Sequence, residues 1–360
     1  MEAFHCDTRI LSGEGSLERL RELGSRRLLV VTDPFFLKNG VARQAAEASG
    51  AEAWELYSDV RPDPSVELAA AGTAAVQRFR PDTVVALGGG SAIDCAKAMV
   101  YFSGEEIRLV AVPTTSGSGS EVTDFAILTH QGVKHPLVDP GLRPHTAILD
   151  GALLKELPPG LVADAGFDIL AHALEAYVAR NAGAVTDALA GDAFRTAFSL
   201  LPASYAGDTG VRQRIHMASC MAGMAFTQAG LGLCHAMAHS LGGAFHIPHG
   251  RLNAILLPAV IGCNEGAAGG KYAALARAAG IPGAADTVAL RNLKNALAGL
   301  RKQLGLPGSL AGAGVPPREV RNRREALAAA TLADPCCETN PVPVDRATVL
   351  RVLEEVTGRG

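Results

Sequence analysis

The residues best suited to chemistry lie in the stretch 231–250, LGLCHAMAHSLGGAFHIPHG, which holds His235, His239, His246 and His249 out of 10 histidines in the chain. His235 and His239 stand four apart, so on a helix they leave one face a single turn apart. Pro248 ends such a helix and lets His249 return toward the same point from a second element. Upstream, GFDILAHALEAY gives Asp168 and His172 the same spacing. Two helices that each present a pair of nitrogen or oxygen donors can build a divalent metal site. Any one of these histidines alone is better read as a core or capping residue. The set as a whole reads differently, because it sits among Ala, Gly, Leu and Met, where unpartnered imidazoles and carboxylates are costly.

Such a constellation needs a helical body to hold it, and the chain supplies one after about residue 155. With 360 residues, 48% hydrophobic and 19% charged, the chain can form two domains with separate cores. We expect an α/β nucleotide-binding domain over 1–155 and an all-helical domain over 156–360. In the first, LLVVTD (28–33), TVVALGG (83–89) and RLVAVPTT (108–115) read as buried parallel strands alternating with Ala-rich helices. FAILTH (125–130) and KHPLVD (134–139), joined by a short QGV turn, read as a hairpin, and TAILD (146–150) as a further strand. In the second, residues 286–304, 316–332 and 344–357 read as amphipathic packing helices. A net charge of −3 without a basic block argues against nucleic acid. The 7 cysteines are odd in number and lack a CxxC pair, which argues against a disulfide framework and for a reducing cytoplasm. The N-terminus has no apolar signal region, and no run is long enough to span a bilayer, so no membrane partner is expected.

VVALGGGSAIDCAKAM reads as a strand, a glycine turn and a helix opening at Ser91. Gly88, Gly89 and Gly90 would let a phosphate approach the backbone, and the helix N-terminus would supply N–H groups and a positive dipole. Ser91-x-x-Asp94 could instead be a capping box. A second loop, PTTSGSGSEVT (113–123), offers Thr114, Thr115 and Ser118 to a phosphate, a ribose or an amide. Asp33, ending LLVVTD, is placed to accept hydrogen bonds from an adenosine ribose and to repel a 2′-phosphate, which favours NAD over NADP. The acidic residue comes before the glycines, the reverse of the usual order, so a variant dinucleotide fold is expected.

These stretches, together with DPCCETNP (334–341), resemble the iron-containing, group III alcohol dehydrogenases. The resemblance implies a dehydroquinate-synthase-like architecture, with an α/β nucleotide domain, an all-α metal domain and an active site in the cleft between them. It also implies that Asp168, His172, His235 and His249 are the metal ligands and that His239 is a nearby non-ligand, here a candidate proton relay. Gly89, Gly90, Ser91, Asp94 and the second loop become cofactor contacts, with Asp63 and Lys134 as further ones. Within the family the pattern is most similar to the propanol dehydrogenases of propanediol-degrading microcompartments. The implied enzyme is an NAD(H)-dependent oxidoreductase acting on a small alcohol or aldehyde, homo-oligomeric and cytoplasmic, with a microcompartment as a further association. Fe(II) follows from the resemblance, whereas the ligand types suit Zn(II) equally. A glycerol or diol dehydrogenase is a close alternative. A lyase of the dehydroquinate synthase kind would need a basic clamp, and segments 161–179 and 214–250 contain only Arg214. A non-catalytic shell component fits least, since every ligand and both loops are present.

Overall fold

A computed structural model describes residues 4–130 and 133–358, which divide into two compact units, His5–Glu156 and residues 157–358 with Phe4. The first unit is built on a six-stranded parallel sheet. Its strands are β1 (Arg9–Ser12), β2 (Arg27–Val31), β3 (Ala53–Tyr57), β4 (Thr83–Gly88), β5 (Arg108–Pro113) and β8 (Thr146–Leu149), in the order β1-β8-β5-β4-β2-β3. Residues of β4 are buried throughout, as expected of a central strand covered on both faces. β6 (Phe125–His130) and β7 (Val133–Val138) form the separate antiparallel hairpin, and part of its QGV turn lies outside the described residues. Helices α1 (Pro34–Lys38), α2 (Val41–Ser49), α3 (Val66–Phe79) and α4 (Gly90–Ser103) complete the unit.

The chain leaves β2 for β3 on one side, then returns across β2 to β4. This reversal opens a crevice at the carboxyl ends of β2 and β4, where doubly wound sheets bind ligands. It also accounts for the inverted order of Asp33 and the glycines, because β2 and β4 are far apart in sequence and paired side by side, Val31 opposite Ala86. The two strands without a sequence expectation, β1 and β3, are the edges of the sheet. Half-exposed edge strands lack the continuous apolar run that marks a central one.

The second unit is helical: α5 (Pro159–Val178), α6 (Ala184–Tyr205), α7 (Arg212–Ala229), α8 (Leu233–Phe245), α9 (His249–Ala278), α10 (Asp286–Gln303), α11 (Pro317–Leu332) and α12 (Arg346–Thr357). α5 is buried along most of its length and packs against α6, α7 and α9. α8 ends at Phe245 because His246 turns left-handed (φ 55°), its N–H closing onto the Gly242 carbonyl. Pro248 then caps α9, which begins at His249 itself. No single helix among the described residues is long and apolar enough to cross a membrane.

One buried cation ties the first unit together. Lys97 on α4 is fully buried, and its Nζ donates to the Thr123 carbonyl (2.9 Å), Thr123 Oγ1 (2.8 Å) and the Phe125 carbonyl (2.7 Å). It thereby fastens α4 to the end of the second loop and the start of β6. Burial pushes its pKa down to about 8, against the opposing pull of the Asp94, Glu121 and Asp124 carboxylates. Between pH 8 and the ordinary lysine value, the unfolded chain binds a proton that the fold does not, so this group's contribution to stability rises with pH. Lys97→Met should cost about 1–3 kcal/mol by stranding buried acceptors. In denaturant titrations the gap from the parent should widen, not narrow, between neutral pH and mildly alkaline pH.

Candidate active site

At the crevice of the first unit the two loops face each other. Gly88 has φ 154°, and a Cβ there would lie 2.6 Å from the Ala92 Cβ, so only glycine fits. A Cβ on Gly89 would lie 3.2 Å from Thr115 Oγ1, and one on Gly90 would lie 3.1 Å from Ser118 Oγ. Thr114 joins the same floor through its N–H, which donates to the Gly88 carbonyl (3.0 Å). Asp33 caps α1, its Oδ1 accepting from the N–H groups of Phe35 and Phe36. Its Oδ2 would stand 3.8 Å from a Cβ at Gly88, so one oxygen is spent locally and the other looks onto the glycine loop. Asp63 and Lys134 form an ion pair (2.6 Å), and the Asp63 N–H donates to Ser91 Oγ (3.3 Å). These three residues, distant in sequence, thus meet at the mouth of α4.

The capping-box alternative for Ser91 and Asp94 is corrected by the structure. Gly89 is the N-cap of α4, and no side chain caps the helix, which leaves its first N–H groups for a bound anion. Asp94 is buried beneath the loop, and its Oδ2 accepts from the Ile127 N–H (3.1 Å). Burial raises its pKa, with Lys97 acting against that.

In the helical unit, donor atoms of Asp168, His235 and His249 all lie within 4.8 Å of one another. Asp168 Oδ1 is 3.8 Å from His235 Nε2, 3.5 Å from His249 Nε2 and 4.0 Å from His172 Nδ1. These separations are too long for good hydrogen bonds. Donors about 2.1 Å from one ion at the tetrahedral angle lie about 3.4 Å apart, so the spacing and the donor types fit a divalent metal. His172 flanks the cluster, its ring stacked on those of His235 and Phe226, each at 4.4 Å. Burial alone would raise the Asp168 carboxyl, but His172, His249 and His235 hold it well below the usual range.

The placement of these ligands depends on residues that the sequence reading leaves unassigned. Glu175 is seven residues after Asp168 and three after His172, on the same face of α5. It is buried; Oε1 accepts from the Cys234 N–H (2.7 Å), and Oε2 pairs with His235 Nδ1 (2.6 Å) and accepts from the His235 N–H (3.3 Å). That pairing puts a proton on Nδ1 and turns Nε2 toward Asp168. Burial opposes a charge on His235, but Asp168 and Glu175 outweigh it and raise its pKa to about 9. Asn253 Nδ2 donates to Asp168 Oδ1 (2.9 Å) and fixes the carboxylate. Arg251 grips Asp164 through two bonds (3.1 and 2.9 Å), tying the start of α9 to α5. Between them Gly250 admits no side chain, since a Cβ would lie 1.8 Å from the Asp164 carbonyl oxygen. The charge of Arg251 is taken up by Asp164, so it adds no free basic clamp.

His239 stacks on His249 (5.1 Å), and its Nδ1 pairs with Asp334 (2.8 Å). Despite burial, this histidine holds the Asp334 carboxyl down at about 2. His246 stays outside the cluster, having gone to the helix terminus.

A parallel sheet with a glycine crevice, and a helical body with an Asp–His cluster, are the parts that a metal-dependent dehydrogenase requires. Residues 7–151 match the family model for iron-containing alcohol dehydrogenase, and residues 162–357 match that for the C-terminal part of the same family. The chain is 42% identical to the 1-propanol dehydrogenase PduQ of Citrobacter freundii, over 99% of this chain and 100% of that one. It is 35% identical to the NADPH-dependent butanol dehydrogenase of Clostridium saccharobutylicum, over 98% and 97%. Among solved structures, an iron-containing alcohol dehydrogenase from Thermococcus thioreducens superposes with a TM-score of 0.92 at 33% identity, covering 98% of this chain and 99% of that one. A 1,3-propanediol oxidoreductase superposes at 0.93 and 30%, covering 99% and 100%. The chain belongs to the iron-containing alcohol dehydrogenase family.

Glu175→Gln keeps the shape but removes the charge that holds the His235 proton. Metal affinity, measured by chelator competition, should fall about 10–100-fold while the fold persists. Unchanged affinity would mean that His235 needs no such partner.

Proposed function

We propose that the protein interconverts short primary alcohols and aldehydes, of the propanol and propanal class, with NAD(H) as hydride carrier. The observation that carries this reading is the convergence of Asp168, His235 and His249, with His172 alongside, at the spacing of one ion. An ion held there, Fe(II) or Zn(II), supplies Lewis acidity toward a substrate oxygen. Asp168 and Glu175 together bring two negative charges to the cluster, one more than the ligands alone would suggest. Asp168, His235 and His249 would hold the ion, and Glu175 keeps the His235 proton on Nδ1, away from it. Asp334 holds His239 by Nδ1, so its Nε2 is available to carry a proton to or from the substrate.

In the first unit, the Gly89–Ser91 turn and the open N-terminus of α4 suit a pyrophosphate, and Thr115 and Ser118 line the same floor. Asp33 Oδ2 suits a ribose hydroxyl and disfavours a 2′-phosphate. Similarity to the 1-propanol dehydrogenase PduQ supports the propanol class.

Phe226, stacked on His172, gives this side of the cluster an apolar neighbour suited to a short alkyl chain. Each buried methylene contributes about 0.8 kcal/mol. With NADH, kcat/KM should rise from acetaldehyde to propanal or butanal and then fall; a flat series, or a preference for glycerol, would overturn the substrate assignment. His249→Ala should lose its metal by elemental analysis yet still bind NAD, because the two sites lie on separate units. Asp33→Gly should narrow the preference for NADH over NADPH, compared by kcat/KM; a parent enzyme that uses both equally would remove Asp33 from the 2′ position.

A further inference from the structure

Beside the cluster that the proposed function uses, the helical unit carries a second set of donors. His239 on α8 and Asp334 and Cys336 just after α11 each offer one atom, and the three lie within 4.8 Å of one another. All three are partly exposed, so ligand can reach them and their side chains can adjust. The backbone already holds two of them in register: Asp334 Oδ1 accepts from the Cys336 N–H (2.9 Å), while Oδ2 faces His239 Nδ1 (2.8 Å). The neighbouring thiol, Cys337, is turned away and donates to the Thr331 carbonyl (3.1 Å), so the two adjacent cysteines have separate surroundings.

We propose that His239, Asp334 and Cys336 form a second, inhibitory cation site, selective for thiophilic divalent ions of the zinc class. One imidazole, one carboxylate and one thiolate with a water completing four positions is an ordinary zinc donor set. The thiolate excludes magnesium and calcium, which take oxygen ligands. Charge permits a second ion close to the first, since a divalent ion bound to one carboxylate and one thiolate is neutral as a group. On binding, the Cys336 thiol proton leaves to solvent and the S–H bond is replaced by a metal–sulfur bond. The His239 proton shifts from Nδ1 to Nε2, where it blocks the nitrogen assigned to proton transfer. Inhibition therefore rests on the proposed role of His239, whereas the existence of the site does not.

Co2+ is a suitable probe, because the first cluster contains no sulfur ligand and cannot produce a thiolate-to-cobalt charge-transfer band. Holoenzyme titrated with Co2+ should develop this near-ultraviolet band, saturating at about one added equivalent, with aldehyde reduction falling in parallel. Cys336→Ser should keep turnover and its first metal but lose both band and inhibition; Cys336→Ala serves if the serine variant does not fold. Cys337→Ser should behave as the parent. No band in the parent, or a band that survives in Cys336→Ser, would overturn the site. A band without loss of turnover would overturn its inhibitory role. Metal-free active enzyme, established before titration, would instead count against the first cluster and the proposed function.

Discussion

The helical unit depends on one buried carboxylate at one helix end. The N-terminus of α8 is buried, and its first N–H groups need acceptors that water cannot supply. Glu175 from α5 accepts from Cys234 and His235, and Asn340 Oδ1 accepts from Leu233. A negative charge at this end is also favoured by the helix dipole. The same carboxylate binds the His235 ring, so a single group fixes where α8 begins and how its metal-facing histidine is turned. Its space is tightly bounded, since a Cβ on Gly232 would lie 2.8 Å from Glu175 Oε1 and 2.7 Å from Asn340 Oδ1. Separating the helix from the ligand would therefore disturb both.

The start of α9 follows the same logic by other means. His249 is its first residue, so any rotation of the helix would swing the ligand away from Asp168. The Asp164–Arg251 pair and the close approach of Gly250 to the Asp164 carbonyl hold α9 against α5. In the first unit, Lys97 plays a comparable part between α4 and the second loop. In each case a buried charge is satisfied on several sides, which is the condition under which such groups confer precision and not merely cost.

Much of the fold and part of the site are legible from local pattern alone. Apolar runs marked the central strands, because strands buried on both faces are apolar throughout. Spacing of four placed Asp168 with His172 and His235 with His239, because helical periodicity is a local property. Glycines 88–90 and the hydroxyl-rich second loop were legible for the same reason. Glu175, Asn253 and Lys97 were not, although Glu175 and Lys97 lie inside those motifs and Asn253 four residues after His249. A buried Glu or Lys looks in sequence like any solvated charge, and its partner's distance along the chain gives no sign of contact.

Which donors converge depends on how distant elements pack. That packing brought Asp33 beside the glycine loop by pairing β2 with β4, and it brought Asp63 to Lys134 across a hairpin. It sent His246 to a helix terminus while turning His249 inward, though both flank the same proline turn. It also set Asp334, 95 positions from His239, within 2.8 Å of that ring. The physical reason is the same throughout: local periodicity sets which face of an element a side chain occupies, whereas the meeting of two faces depends on how whole elements pack.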